Sequence, residues 1–431
     1  MTSVATPELQ GRPHWSSWTW LSPLVHPLDR AEILLVYVAF PMALVGDLAG
    51  ISMGAVGWIL AFLVGLLAFL LLPLPAAVLR TTAPLFALLC LGIISLLWTI
   101  SFTEGVRVLV QFAAVLVAYL AGWRAMAADQ HVPFTLSNVS IWLIPACLIV
   151  FFNAAVDGAS TFGWVRGGNA ARPMVMMLAL LFLMGSLGRS RRFTLVLWGA
   201  AFLIAVASGG RMGVAVIGLM LILTPALRVG WKPRLALVGV GLAALAFLIQ
   251  FEGIQERLFV GQEEGELTDI LTLEGNFNTA GRNQNWPQVI ALCSDHSTFG
   301  QGAGSSGPIT LEATVGRTSH PHNDYLRIWC EYGYTGSVMF WGFFLMVGLR
   351  GWRLFRYPGA SQIESELGAI GGLAVVALLM FALTDNVVVY TATFMAAGGV
   401  LWGISDRALH EVESRPIQTL HDTRASTGTA T

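Results

Sequence analysis

The residues best suited to chemistry lie in one short polar stretch, SHPHNDYLRIWCEYGYTG, between Ser319 and Gly336. It directly precedes an apolar run from Ser337 to Leu349. Ionisable side chains at the end of a membrane helix are costly there and mark a functional site by default. An imidazole can take up a proton near neutral pH. We therefore predict that His322 is a general base, and we place His320 among the candidate substrate contacts.

The neighbours of His322 have structural readings as well as functional ones. Asn323 and Asp324 could cap the helix that follows, because both types accept a hydrogen bond from a first-turn N–H. Glu331 lies four residues after Arg327, which favours an ion pair on one helix face. The candidate substrate contacts are Asn323, Tyr325 and Arg327. The candidate structural supports are the carboxylates of Asp324 and Glu331.

The His-x-His spacing of His320 and His322 also fits a zinc site. An evident third ligand is missing apart from His296 and acidic residues of the preceding loop. We therefore predict neither a metal nor a cofactor.

Three arginines next to small residues are candidate anion ligands. Arg211 follows Ser208-Gly209-Gly210, Arg282 lies in AGRNQNW, and Arg166 lies in WVRGGNAARP. Each has an ordinary explanation, since arginines at helix ends often extend towards the interface. Small neighbours nevertheless let a ligand approach the backbone, and the guanidinium fork matches phosphate oxygens. Together they predict a site for a di-anionic headgroup in the membrane.

The composition shows which elements must position these residues. The chain has 431 residues, of which 55% are hydrophobic and 11% charged, against about 25% charged in soluble domains. Runs of about 20 apolar residues are typical of membrane helices. We predict an all-α polytopic membrane protein with about twelve transmembrane helices. The predicted spans are 31–50, 52–72, 83–100, 106–123, 138–156, 173–187, 193–207, 212–227, 234–250, 326–349, 367–385 and 388–404.

The distribution of basic residues predicts the orientation. Sixteen of the 24 lysines and arginines fall in the two termini and in alternate short loops, so both termini should be cytoplasmic. The other face, in the periplasm of a bacterial inner membrane, should then carry Arg211, Arg282 and His322. The predicted segments are a cytoplasmic tail (1–30), spans one to nine (31–250), a periplasmic loop with short helices (251–322), spans ten to twelve (323–405) and a disordered cytoplasmic tail (406–431).

Within the long loop, EGIQERL and GRNQNWPQVIALC are expected to form short helices, and GQGAGSSGP a tight turn. Loops of this length are usually functional. Cys293 and Cys330 are not expected to form a disulfide, because nothing in their spacing favours pairing.

The motif H-N-x-Y-L-x-x-x-x-E-x-G-x-x-G resembles that of the O-antigen ligase and polymerase superfamily of membrane glycosyltransferases. It is matched by His322, Asn323, Tyr325, Leu326, Glu331, Gly333 and Gly336. Further similarity lies in G-R-x-x-x-W (281–286), in the glycines after Phe299, in the small residues before Arg211 and in the stretch Trp98–Ser101.

The resemblance implies a donor glycan linked to undecaprenyl diphosphate and no metal. Arginines matching Arg211 and Arg282 would hold the diphosphate, and the histidine matching His322 would assist an acceptor hydroxyl. The acceptor would be another lipid-linked glycan, for a polymerase, or a lipid A core, for a ligase. The acidic loop slightly favours a polymerase, and analogy favours inversion at the anomeric carbon.

Other functions are less well supported by the sequence. No Walker loop or dinucleotide fingerprint is present, so neither nucleotides nor nucleic acids are expected as partners. Membrane lipid is an expected partner. A transporter or glycolipid flippase is the alternative, but it predicts polar residues near the midplane and related halves, and neither is visible.

Overall fold

The computed structural model describes residues 27–45, 47–48, 51–156, 171–207, 211–225, 230–236, 239, 282–388 and 394–415. The helices with assigned bounds are α1 (Pro27–Val45), α2 (Met53–Leu71), α3 (Ala76–Ser95), α4 (Phe102–Ala128), α5 (Val132–Val156), α6 (Ala171–Gly185), α7 (Arg191–Ala207), α8 (Arg211–Leu223), α9 (Arg282–Cys293), α10 (Ser306–Ala313), α11 (Asp324–Arg356), α12 (Gln362–Thr384) and α13 (Met395–Ser414). Between α1 and α2 lies a short antiparallel hairpin of two-residue strands, β1 (Asp47–Leu48) and β2 (Ile51–Ser52).

The structure is that of a helical membrane protein. In the described part of the chain, α3, α4, α11 and α12 are long and apolar enough to cross a bilayer. Shorter apolar helices cover 56–71, 132–145, 175–185 and 212–223. Helices are found at every predicted span except 234–250, most of which lies outside the described residues. The number of membrane crossings stays a prediction.

Two predicted boundaries at the C-terminal end are wrong. The last span was expected at 388–404 and the disordered tail from 406, whereas α13 begins at Met395 and ends at Ser414. The helix continues because Ala408, Leu409 and Val412, at helical spacing, are buried against the core. Asp406 is also buried, 3% exposed, and accepts hydrogen bonds from Tyr119 and Thr81. It pairs with Arg350 as well.

Polar contacts join the helix ends in two groups, one on each face of the protein. On one face, the start of α1 meets the end of α4, where Arg124 Nη2 lies 2.7 Å from Asp29 Oδ1. Asp406, towards the end of α13, joins the start of α3 and the end of α11 on this face through Thr81 and Arg350. On the other face, the end of α3 and the end of α12 contact the segment that carries α9. Elements that alternate across a bilayer would place their ends in this way.

The long helix α11 is divided by a kink at Gly333. This residue has φ 64° and ψ −163°, a conformation that favours glycine. A side chain there would collide with the backbone carbonyl of Thr298. Tyr334 N donates to the Ser297 carbonyl at 2.8 Å just past the kink. The kink therefore separates a first segment, 324–332, from the long apolar remainder of α11.

The segment from α9 to α10 forms a small unit on the same face as that first segment. Its apolar cluster contains Val289, Cys293, Ile309, Ala313, Leu326 and Cys330, with Trp286 and Trp329 against it, and is separate from the main core. The predicted helix in GRNQNWPQVIALC is confirmed, and it begins at Arg282. The predicted EGIQERL helix lies outside the described residues.

The glycine-rich turn is confirmed for its first part only. Gly300, Gly302 and Gly304 have φ of 73°, 93° and 75° and lie against neighbouring backbone. Thr99 Oγ1 donates to the Ala303 carbonyl at 2.6 Å, which ties the turn to the end of α3. From Ser306 onwards the chain is helical, so the expectation of a turn extending through Pro308 is wrong. Proline is tolerated there because it lies in the first turn of α10.

Candidate active site

His322 lies at the centre of the candidate active site, in an uncommon backbone conformation. Its φ is 51°, a left-handed value that is unusual for a residue other than glycine. Such conformations persist only where the surrounding structure holds them, and they are concentrated at functional sites. The Trp286 indole N–H donates to the carbonyl of the preceding Pro321 at 2.7 Å. The His322 side chain is 29% exposed, so a substrate can reach the imidazole ring.

The residues after the end of α12 surround the His322 ring. Asn386 Nδ2 lies 3.0 Å from His322 Nδ1, and Asp385 Oδ1 lies 3.8 Å from the same nitrogen. Asn386 is 1% exposed. Two proton arrangements fit this geometry: the amide N–H donates to a bare Nδ1, or a protonated Nδ1 faces an amide oxygen or the carboxylate. Only the second leaves Nε2 as the proton-accepting nitrogen.

Arg282 reaches the same turn from the loop unit. Its Nη2 donates to the carbonyl of Thr384, the last residue of α12, at 2.8 Å. Thr384 directly precedes the two residues that contact His322. Arg282 and His322 are 40 residues apart in the sequence. In the structure both contact the same three-residue segment, 384–386.

The residues after His322 tie α11 to this segment. Asn323 caps α11, since its side chain accepts from Leu326 N at 3.0 Å. Asp324 is fully buried, and its Oδ2 accepts from Val388 N at 3.0 Å. Tyr325 donates to the Leu379 carbonyl at 3.2 Å and stacks on Trp341 with centroids 4.1 Å apart. These three side chains thus have structural partners; a contact of Asn323 or Tyr325 with substrate stays a prediction.

Arg327 and Glu331 form the ion pair that their spacing predicts. Arg327 Nε lies 3.1 Å from Glu331 Oε1, and the side chains are 6% and 0% exposed. The Ser306 hydroxyl of α10 also donates to Glu331. Burial of this kind supports Arg327 as a structural residue, away from the accessible surface where a substrate would bind.

His320 stays neutral near pH 7 in this structure. Burial lowers its pKa to about 4, and the positive charges of Arg327 and Arg107 act in the same direction. A neutral imidazole can donate one hydrogen bond and accept another. This leaves His320 compatible with substrate binding but unsuited to supplying a proton.

The two remaining predicted anion ligands are placed only in part. Arg166 lies outside the described residues. Arg211 is the first residue of α8, which packs against α6 and α12, while the position of its side chain is outside the described part. Within the described ranges, no group of three or more His, Cys, Asp or Glu side chains could hold a metal ion.

Comparison with known proteins gives one family match. A family model described as O-antigen ligase matches residues 193–341, about a third of the chain. This match supports the resemblance to the O-antigen ligase/polymerase superfamily. No curated protein matches it. The matched region begins in α7 and ends in α11, so it contains Arg211, Arg282 and His322.

Asp385 and Asn386 lie beyond the part of the chain that matches the O-antigen ligase model. Sequence reasoning missed them, although a signal was present. Both are polar, and they stand between two apolar stretches at the predicted outer end of a span. Their proximity to His322 depends on the packing of α12 against α11, which the local sequence does not encode.

The disulfide between Cys293 and Cys330 was also not expected. The structure pairs them, with Cα atoms 5.2 Å apart across 37 residues. Trp286 lies near Pro321, and Cys293, seven residues later, meets Cys330. Helix α9 therefore runs beside the first segment of α11 in the same direction, and this packing brings the two cysteines together.

Proposed function

We propose that this protein is a glycosyltransferase that moves a glycan from undecaprenyl diphosphate to a sugar hydroxyl on the periplasmic face of the bacterial inner membrane. The match of residues 193–341 to the O-antigen ligase model supports an enzyme that assembles surface polysaccharide. One observation carries the proposal: His322 and Arg282 converge on Thr384, Asp385 and Asn386. This convergence supports a reaction in which the proposed proton acceptor and the proposed diphosphate ligand act together.

His322 serves as general base in the proposed reaction. With a proton on Nδ1, which faces Asn386 and Asp385, the proton-accepting nitrogen is Nε2. The Asp385 carboxylate favours the tautomer with a proton on Nδ1 and stabilises the imidazolium that forms. As the acceptor hydroxyl transfers its proton to Nε2, its oxygen bonds to the anomeric carbon of the donor sugar. A positioned base contributes about 100-fold to 10,000-fold to such a step.

The arginines serve the leaving group. The bond between the anomeric carbon and the diphosphate oxygen breaks, and its electron pair goes to the diphosphate. Arg282 and Arg211 stabilise the added negative charge, because guanidinium groups bind phosphate oxygens in a two-pronged geometry. Attack opposite the diphosphate inverts the anomeric configuration. The reaction proposed here needs neither a metal nor a nucleotide.

The disulfide supports the periplasmic placement of this face. Disulfides persist in oxidising compartments such as the bacterial periplasm and are rare in the cytosol. Cys293 and Cys330 belong to the same unit as Arg282 and the segment after His322. The basic residues of the opposite face agree with a cytoplasmic location there.

Between the two acceptors, we propose another lipid-linked glycan, and hence a polymerase, rather than a lipid A core. The loop 251–322 is rich in acidic residues, which disfavours an acceptor that carries anionic phosphates. A strain that lacks the gene decides the point. Accumulation of carrier lipid bearing single repeats supports a polymerase, whereas full-length chains left on the carrier indicate a ligase.

Arg282 provides the sharpest test of the leaving-group step. Arg282→Ala should lower kcat/KM for purified lipid-diphosphate glycan by about 100-fold, as loss of a transition-state donor does. Arg282→Lys should stay impaired by roughly tenfold because an ammonium lacks the planar fork. Arg317→Ala removes an exposed arginine of the same loop and should match the wild type. Unchanged kcat/KM in Arg282→Ala would contradict the assigned role.

A further inference from the structure

Helix α9 carries Arg282 at its first residue and Cys293 at its last, so the helix transmits constraints from one end to the other. Twelve residues form this helix, which makes it a rod about 16 Å long between the two ends. Arg282 contacts the active-site turn at Thr384, and Cys293 is bonded to Cys330 of α11. The covalent bond and the guanidinium contact thus lie at opposite ends of one helix.

Packing and hydrogen bonds also hold α9 in place, since Val289 is fully buried in an apolar cluster with Ile309 and Ala313 of α10. The Trp286 indole donates to Pro321, and Gln301 Nε2 donates to the Leu292 carbonyl at 3.2 Å. The apolar cluster around the disulfide is small and separate from the main core. The helix is therefore held near its middle by the Trp286 hydrogen bond and by packing on α10, and the disulfide adds a covalent tie to α11 at its far end.

We propose that the Cys293–Cys330 disulfide is a positioning device that holds Arg282 in register with His322, and that its reduction weakens donor binding. This inference rests on the proposed function. Reduction removes the one covalent tie between α9 and α11 in the described residues. A misplacement of Arg282 by about 1 Å is enough to disrupt a two-pronged contact with phosphate.

Steady-state kinetics with purified lipid-diphosphate glycan separate positioning from folding. The oxidised wild type is compared with the wild type reduced after folding and with the double variant Cys293→Ala/Cys330→Ala. We expect KM for the donor to rise about tenfold in both disrupted forms, with kcat changed by less than twofold. Cys90→Ala removes the free cysteine of α3 and should match the wild type. A lower kcat at unchanged KM, the mark of a smaller folded fraction, would overturn the proposal.

Amide hydrogen exchange on the same samples gives a result that does not depend on activity. Reduction should increase exchange across 282–293 and leave α12 and α13 unchanged. Unaltered exchange in α9 would refute the positioning role, whatever the kinetics. If the oxidised wild type transfers no glycan to either class of acceptor, the proposed function fails, and the exchange result still decides whether the disulfide positions α9.

Discussion

The buried pair of Arg327 and Glu331 gives a prediction whose size follows from the structure. Glu331 is fully buried and Arg327 is 5% exposed, and the nitrogen-to-oxygen distance is 3.1 Å. Glu331→Ala would leave a guanidinium buried without its anion and would also remove the acceptor for Ser306. Breaking one partner of a buried pair destabilises a protein by about 3–5 kcal/mol. We expect a loss of that size.

Reversible unfolding in mixed micelles with increasing SDS measures this loss. Glu104→Ala is the matched control, because Glu104 pairs with Arg107 on the surface, with side chains 44% and 56% exposed. An exposed pair contributes at most about 1 kcal/mol, so the control should differ little from the wild type.

The double variant Arg327→Met/Glu331→Leu separates the ion pair from the space it fills. Replacement of both partners by apolar residues removes the uncompensated charge and should recover most of the stability. The reasoning is refuted if Glu331→Ala unfolds within about 1 kcal/mol of the wild type, or if the double variant is the less stable of the two.

Three further predictions concern the surroundings of the site. Gly333→Ala should destabilise the protein by about 1–3 kcal/mol, because its φ is 64° and a side chain would meet the Thr298 carbonyl; an unchanged SDS midpoint would contradict this. His320 has a pKa lowered by burial from 6.5 to about 4, so it stabilises the fold above pH 6.5 and this contribution is lost as pH falls towards 4. His320→Gln should therefore flatten the dependence of the thermal midpoint on pH in that window, and an unaltered slope would argue against it. Asn386→Ala should lower kcat by about tenfold by releasing the His322 ring, and kcat equal to the wild type would exclude an orienting role.

Local sequence patterns predicted the helices and several contacts within them. Apolar runs marked the positions of the helices, and the spacing of Arg327 and Glu331 predicted their ion pair. Asn323 was predicted as a possible cap, and the glycines after Phe299 as a tight turn. Each of these features depends on residues close in sequence, where propensity and periodicity carry the information.

Contacts between distant elements were not predictable in this way. Asn386 lies 64 residues from His322, and Cys293 lies 37 residues from Cys330. Asp406 has partners on three other helices. In each case a polar side chain acquires its partner only when helices pack, and the pattern around it resembles an ordinary loop or terminus.

The central claim is that His322 accepts the proton of the acceptor hydroxyl during glycan transfer from a lipid diphosphate. The most direct test measures transfer by purified protein in proteoliposomes, with labelled lipid-diphosphate glycan and each class of acceptor. The account predicts transfer by the wild type and by His296→Ala, which removes an exposed histidine of the same loop. His322→Ala should lower the rate by about 100-fold or more. A His322→Ala variant that transfers glycan at the wild-type rate would contradict the account.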